Sequence, residues 1–280
     1  VASKSAIDDR CDAFLRLIGL KPVIMGILNV TPDSFSDGGR FQSLDSALAR
    51  AKKLVADGAD IIDVGAESTR PGHTPVPLEE EWRRLEPLLA PLLAEVAAPF
   101  SIDTHKAEIA RRAAALGVCV VNDVWGLQKD PAMADVVAES GTAVVIMHNR
   151  ESIDPDLDIE ADLRRFFERS LNCAERAGIL RTRILLDPGV GFGKSKAQNL
   201  KALALTGALR ETFGLPILVG VSRKRLMNEP SGTASVEEQL AGTLAANLAA
   251  FARGAAVFRV HDAAGHAAAF KVFEAIERAG

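Results

Sequence analysis

The chain has 280 residues, 48% of them apolar, and carries a formal net charge of −4 at pH 7. A chain of this kind can bury a large core, and its charge balance leaves no global basic field for nucleic acid. No apolar run approaches the ~20 residues needed to cross a bilayer, so no membrane partner is expected.

Near the N-terminus, Lys4, Asp8, Asp9 and Arg10 interrupt any apolar run that could act as a secretory signal. Cys11, Cys119 and Cys173 form no CxxC pair and read as reduced thiols, which points to a cytoplasmic location. A helix is expected around residues 7–17. From about residue 22 onward, short apolar runs alternate with amphipathic stretches. The runs are 23–30, 61–66, 100–104, 119–123, 143–148, 184–189, 217–222 and 255–261. They are rich in β-branched residues and do not alternate cleanly, as expected of strands buried on both faces. The helical stretches are 44–57, 78–95, 107–116, 131–140, 159–177, 200–213, 236–253 and 264–278. In the first of these, Leu44, Ala47, Leu48, Ala51, Leu54 and Val55 form one stripe at helical spacing. Ser43 reads as a helix entry, and Asp130-Pro131 reads as an N-cap followed by Pro at the first helical position.

Eight strands strictly alternating with eight helices predict a (β/α)₈ TIM barrel with an extra N-terminal helix, as one domain over residues 1–280. An open doubly wound sheet is the alternative, but it usually has fewer strands. In a barrel the strand C-termini face the site, and nearly every run here ends in polar residues. In chain order they are Asn29; Asp63, followed by residues 67–72; residues 103–106; Asn122 and Asp123; His148 and Asn149; residues 187–189; residues 222–224; and residues 259–262. Burying so many polar groups without partners costs a few kcal/mol each, so they must satisfy a ligand, water or one another. Asp103, Asn122, Asp187 and Lys224 suit a flat nitrogen heterocycle with alternating donors and acceptors. Asn29, Arg70, Arg259 and His261 suit phosphate. Together they point to a heterocycle carrying a phosphate ester.

Other readings fail on spacing. Residues 189–195 look like a phosphate loop, but Pro188 stands where the first Gly of a Walker A motif belongs, so these glycines are expected to shape a tight loop. His73, His105 and His266 lack metal-ligand spacing. No Gly-x-Ser-x-Gly elbow is present.

The motifs MGILNVTPDSFSDGG, DVGAESTRPG, VNDVWG, DPGVGFGK, VGVSRK and RVHD make the chain resemble the dihydropteroate synthase family over residues 20–280. That family condenses 6-hydroxymethyl-7,8-dihydropterin diphosphate with p-aminobenzoate, uses Mg²⁺ and is inhibited by sulfonamides. The resemblance implies that Asp103, Asn122, Asp187 and Lys224 bind the pterin edge, with Met147, Phe192 and Arg259 along its faces. It implies that Phe35, Thr69, Arg70, Pro71, Lys224 and Arg225 surround p-aminobenzoate. Phe35 would close down on a loop hinged at Gly38 and Gly39. The implied catalytic set is Asn29, Asp33, Arg70, Lys224, Arg259 and His261, with Asn29 also meeting the Mg²⁺. Where many members carry Ser after Ser-Arg-Lys, this chain has Arg225, and residues 226–232 also depart from the usual pattern. A pterin-binding methyltransferase and a non-catalytic homologue are the rival readings. The family is usually homodimeric, and Leu240, Leu244, Leu248 and Phe251 form a stripe that fits either a dimer face or barrel packing.

Overall fold

Side chains of the apolar runs are buried on both sides of the sheet, so their alternation shows only in which of two cores each one joins. In the computed structural model, which describes residues 4–30, 40–67, 75–224 and 235–279, the strands are β1 (Val23–Asn29), β2 (Ile61–Gly65), β3 (Phe100–Asp103), β4 (Val120–Asp123), β5 (Ala143–Met147), β6 (Ile184–Asp187), β7 (Ile217–Val219) and β8 (Ala255–Val260). They pair in parallel in chain order, and β8 returns to β1, closing the expected (β/α)₈ barrel. Outward positions such as Ile24, Leu28, Ile62, Val64, Ile102, Val121, Val144, Ile146 and Phe258 join a core with Leu54, Leu85, Leu89, Ile109 and Phe167 of the surrounding helices. Inward positions at the strand N-termini form a second core: Val23, Met25, Ile61, Val120, Ala143, Val145, Leu185, Leu218 and Val257.

That inner core continues into the extra helix, α1 (Lys4–Leu17), whose Cys11 and Phe14 are fully buried against it. The Cys11 thiol donates to the Cys119 carbonyl (3.2 Å) at the foot of β4. Helix α1 therefore plugs the N-terminal mouth of the barrel. Further along β2, β3, β4, β6 and β8, the inward positions turn polar: Asp63, Asp103, Asn122, Asp187 and Arg259. This change from apolar floor to ionic rim places a binding surface at the C-terminal mouth.

The other helices are α2 (Arg40–Ala56), α3 (Leu78–Glu95), α4 (Ala107–Leu116), α5 (Met133–Ser140), α6 (Ile159–Ala177), α7 (Lys196–Ala204), α8 (Thr206–Phe213), α9 (Val236–Phe251) and α10 (Ala263–Glu277). Three helix expectations need correction. Helix α2 begins at Arg40, so Ser43 lies inside it rather than at its entry. Helix α5 begins at Met133 with Ala132 as its N-cap residue. Asp130 serves two other amides instead, accepting from Ala132 N–H (3.0 Å) and from Ala107 N–H at the start of α4 (2.8 Å). The single helix expected over 200–213 is two, α7 and α8, broken at Leu205. Helix α7 starts earlier than expected, at a capping box in which Ser195 and Gln198 bond each other's backbone N–H. Among the described residues, no helix is long and apolar enough to cross a membrane.

Candidate active site

Three acids and one amide crowd the upper interior, and one guanidinium ties two of the acids together. Arg259, two residues above the apolar floor of β8, donates from Nε to Asp63 Oδ2 (2.6 Å) and from Nη2 to Asp103 Oδ2 (2.6 Å). Asn122 Nδ2 donates to the same Asp63 oxygen (3.1 Å). Asp63 Oδ1 and Asp103 Oδ1 are buried and have no hydrogen-bond partner among the described residues. An unmatched buried acceptor is uncommon and calls for an explanation. Here the two oxygens form a pair of acceptors suited to N–H donors of a bound molecule.

Asp187 stands at the end of β6, beside Met147 in the β5–β6 register. Its Oδ1 accepts from Gly189 N–H (2.7 Å). A Cβ on Gly220 would lie 3.7 Å from Asp187 Oδ2 and 3.8 Å from Arg259 Cβ, which places these two side chains on either side of β7's end. Burial pushes the Asp103 carboxyl up to about 7, against the pull of Arg259. Burial also raises Asp187, against the Gly189 N–H and the Lys224 charge.

Lys224 reaches in from the turn after β7. Its ammonium donates to the Val190 carbonyl and lies 4.4 Å from the centre of the Phe192 ring, a cation–π contact. Burial holds it down to about 8, with Asp187 opposing that shift. Val190 and Phe192 belong to the glycine-rich loop after β6, which Lys194 braces from within. Lys194 is 4% exposed and donates to the carbonyls of Gly189 (2.8 Å), Phe192 (3.1 Å) and His148 (3.3 Å). Gly189 and Gly193 have φ of +64° and +58°, and a Cβ would come 1.8 Å from the His148 oxygen and 2.4 Å from the Arg150 oxygen. The loop needs glycine at both positions, as its tight-turn reading anticipates.

At the margin, His261 Nδ1 and the Ser222 hydroxyl share a hydrogen bond (3.0 Å), and His261 N–H donates to the same oxygen (3.1 Å). Asn29 ends β1 with its side chain exposed. Beside Asp103, Lys106 bridges Glu67 and Glu81, and Thr104 donates its hydroxyl to Glu81 (2.8 Å). Glu67 also accepts from Val76 N–H (3.2 Å).

The structure thus gathers Asp103, Asn122, Asp187, Lys224 and Arg259 at one mouth, with Met147 and Phe192 beside them and His261 and Asn29 at strand ends around it. Asp33, Phe35, Thr69, Arg70, Pro71 and Arg225 lie outside the described residues. Asp63 has a larger part than the sequence reading gave it, since it holds both Asn122 and Arg259. An acid at a strand end was the available signal, and only the fold tells such a residue from a structural one. Among the described residues, no group of three or more His, Cys, Asp or Glu is placed to hold a metal ion.

Known proteins resemble this chain in sequence and fold. Residues 25–261 match the family model described as pterin binding enzyme. A dihydropteroate synthase from Clostridium beijerinckii is 41% identical over 266 residues, covering 93% of this chain and 96% of that protein. The crystal structure of the Clostridium difficile dihydropteroate synthase in the presence of pteroic acid is 45% identical, with a TM-score of 0.88, covering 92% of this chain and 98% of that one. The Xanthomonas albilineans dihydropteroate synthase with 4-aminobenzoic acid is also 45% identical, with a TM-score of 0.86, covering 92% and 93%. With this fold, this ionic mouth and these relatives, the chain belongs to the dihydropteroate synthase family of pterin-binding enzymes.

Proposed function

We propose that this chain joins p-aminobenzoate to 6-hydroxymethyl-7,8-dihydropterin diphosphate, giving 7,8-dihydropteroate and pyrophosphate. The observation that carries the reading is the pair of buried, unmatched oxygens Asp63 Oδ1 and Asp103 Oδ1, set among Asn122, Asp187 and Lys224. Carboxylate oxygens accept N–H bonds strongly, and an aminopyrimidine edge offers such donors in a row. Asp103, Asn122, Asp187 and Lys224 would read that edge, with Met147 and Phe192 against the ring faces.

Chemistry then needs the C–O bond at the exocyclic methylene to break and the arylamine nitrogen to bond the same carbon, with loss of the amine proton. Asp103 and Asp187 favour the electron-poor ring that results. Arg259, His261 and Arg70 supply donors and charge for the departing pyrophosphate. No side chain is asked to form a covalent intermediate. By the resemblance, Thr69, Arg70, Pro71, Phe35, Lys224 and Arg225 are assigned to p-aminobenzoate, Asn29 to the diphosphate end and Asp33 to the catalytic set. Asn29, an exposed residue with one amide oxygen, fits Mg²⁺, which takes few protein ligands and draws the rest from phosphate and water. When bound, the ion would neutralise charge on the diphosphate.

We assign the protein to the cytoplasm, where its cysteines, which form no disulfide, stay reduced. It is expected to form a homodimer. Leu248 and Phe251 are partly buried against the core, and the exposed Val272 and Ile276 of α10 are further candidates for such a face. Light scattering of the purified protein decides this.

The defining assay combines purified protein, the pterin diphosphate, labelled p-aminobenzoate and Mg²⁺. Labelled dihydropteroate with release of pyrophosphate is expected. Pterin binding without product would point to a methyltransferase or a non-catalytic homologue. Asn29→Ala should abolish turnover and spare pterin binding, and equal loss of both would refute this division of labour.

A further inference from the structure

The turn that delivers Lys224 to the pocket is built on a strained residue. Among the described residues, Leu127 and Arg223 are the non-glycine positions with φ in the left-handed region, Arg223 at +57°. Such strain persists only where the surroundings enforce it, and it gathers at functional sites. Three contacts enforce it here. Arg223 N–H donates to the buried Thr243 hydroxyl of α9 (3.2 Å). Lys224 N–H donates to the Val221 carbonyl (3.2 Å), closing the turn. The Arg223 guanidinium forks onto both oxygens of Asp262, Nε to Oδ2 (3.1 Å) and Nη2 to Oδ1 (2.7 Å).

Asp262 makes the fork informative. It occupies the N-cap position of α10, where Asp is among the preferred capping residues, yet its side chain makes no capping bond. Both of its oxygens serve Arg223 instead. Its own carbonyl is fixed by His266 Nδ1 (2.7 Å), and His266 Nε2 is fixed in turn by the buried Asn247 (2.9 Å). The fork is therefore anchored through His266 to the inner side of α9. Arg223 lies between Ser222, which bonds His261, and Lys224, which lies on Phe192. Asp262 directly follows His261. One ion pair thus couples the two flanks of the site.

We propose that Arg223 and Asp262 are positioning residues: their fork holds the left-handed turn that aims Lys224 into the pocket and keeps Ser222 on His261. This rests on the reading of Lys224 and His261 as substrate-binding groups. The pair is too exposed for its main part to be stability, with side chains 39% and 27% accessible.

Two variants separate positioning from folding. Asp262→Ser keeps a good N-cap residue and removes the fork. Arg223→Asn keeps a residue that tolerates the left-handed region. Each should lower kcat for dihydropteroate formation about tenfold, the scale on which small misplacements act. The double variant should fall no further than the worse single one, as expected when two residues act as one unit. Arg223→Lys keeps the charge without the planar fork and should recover only part of the loss. The His261 ring resonances should move in both single variants, while the melting temperature stays within about 3 °C of the parent.

Unchanged kcat, losses that multiply in the double variant, unmoved His261 resonances, or a loss of kcat that only follows a loss of stability would each overturn the proposal. A parent protein that forms no dihydropteroate would overturn the functional reading instead. The His261 resonances would still report on the fork.

Discussion

Asp103→Asn tests the pocket most directly, because the change keeps the shape of the side chain and alters only charge and one acceptor. Asp103 is 5% exposed, its Oδ2 bonds Arg259 at 2.6 Å, and its Oδ1 has no partner among the described residues. An asparagine there must keep its oxygen toward Arg259, since its NH₂ would otherwise face a donor. The NH₂ then takes the place of Oδ1 and meets an N–H of the pterin edge, donor against donor. The lost bond is one to a charged acceptor, worth about 1.5–3 kcal/mol, or roughly 10- to 150-fold in Kd. Calorimetric titration with pteroic acid measures this. The pH profile supplies a second readout. The folded carboxyl sits near 7 because of burial, far above its ordinary value. Wild-type affinity should therefore rise as pH passes through about 7 and the carboxylate forms, and the variant should lack that rise. For folding the sign is opposite. Between about pH 4 and 7 the native state holds a proton that the unfolded chain has released, so this contribution to stability is full below about 4 and is lost as pH rises to about 7. Asp103→Asn should remove that slope from the urea midpoints. Undiminished pteroic acid binding, or a pH dependence that survives the substitution, would refute the assignment of Asp103.

Arg259→Met leaves the Asp63 and Asp103 carboxylates without their cation and should destabilise the fold by about 3–5 kcal/mol at pH 8. Urea denaturation should show a smaller loss at pH 5, where Asp103 is protonated, and equal losses at both pH values would contradict the pairing. Lys194→Met strips the donor from three carbonyls and should cost about 2–4 kcal/mol near neutral pH. Burial holds the folded Lys194 down to about 7, so the native state releases this proton well before the unfolded chain does. Parent stability should therefore climb from about pH 7 toward the ordinary lysine range, and the variant should show no such climb. Phe14→Ala opens the floor plug and should cost about 3–5 kcal/mol by denaturant titration. Its kcat well below the melting temperature should stay at the parent value, because the plug lies at the mouth opposite the site.

The barrel was legible because apolar run and amphipathic stretch alternate without a break, and each observed strand falls within its expected run. Its inner and outer faces were not legible, since Val23 and Ile24 are equally apolar and equally buried. The missed helix starts have local causes. Asp130 and Ser43 are competent caps, but Asp130 is claimed by the start of α4, and α2 begins upstream of Ser43. The capping pair Ser195 and Gln198 was readable from its spacing and was hidden by the phosphate-loop resemblance of the preceding glycines. At the site, residues that end strands could be picked out one by one. Their partners could not, because Asp63 and Arg259 are 196 positions apart, and the carbonyls that hold Lys194 come partly from His148, 46 positions away.

The Lys194 ammonium does for its loop what a bound structural metal does elsewhere: it gathers carbonyls that would otherwise point apart. Because this ion is tethered to the chain, chelators and dilution cannot strip it away. The order of the loop that carries Val190 and Phe192 is thereby freed from metal supply.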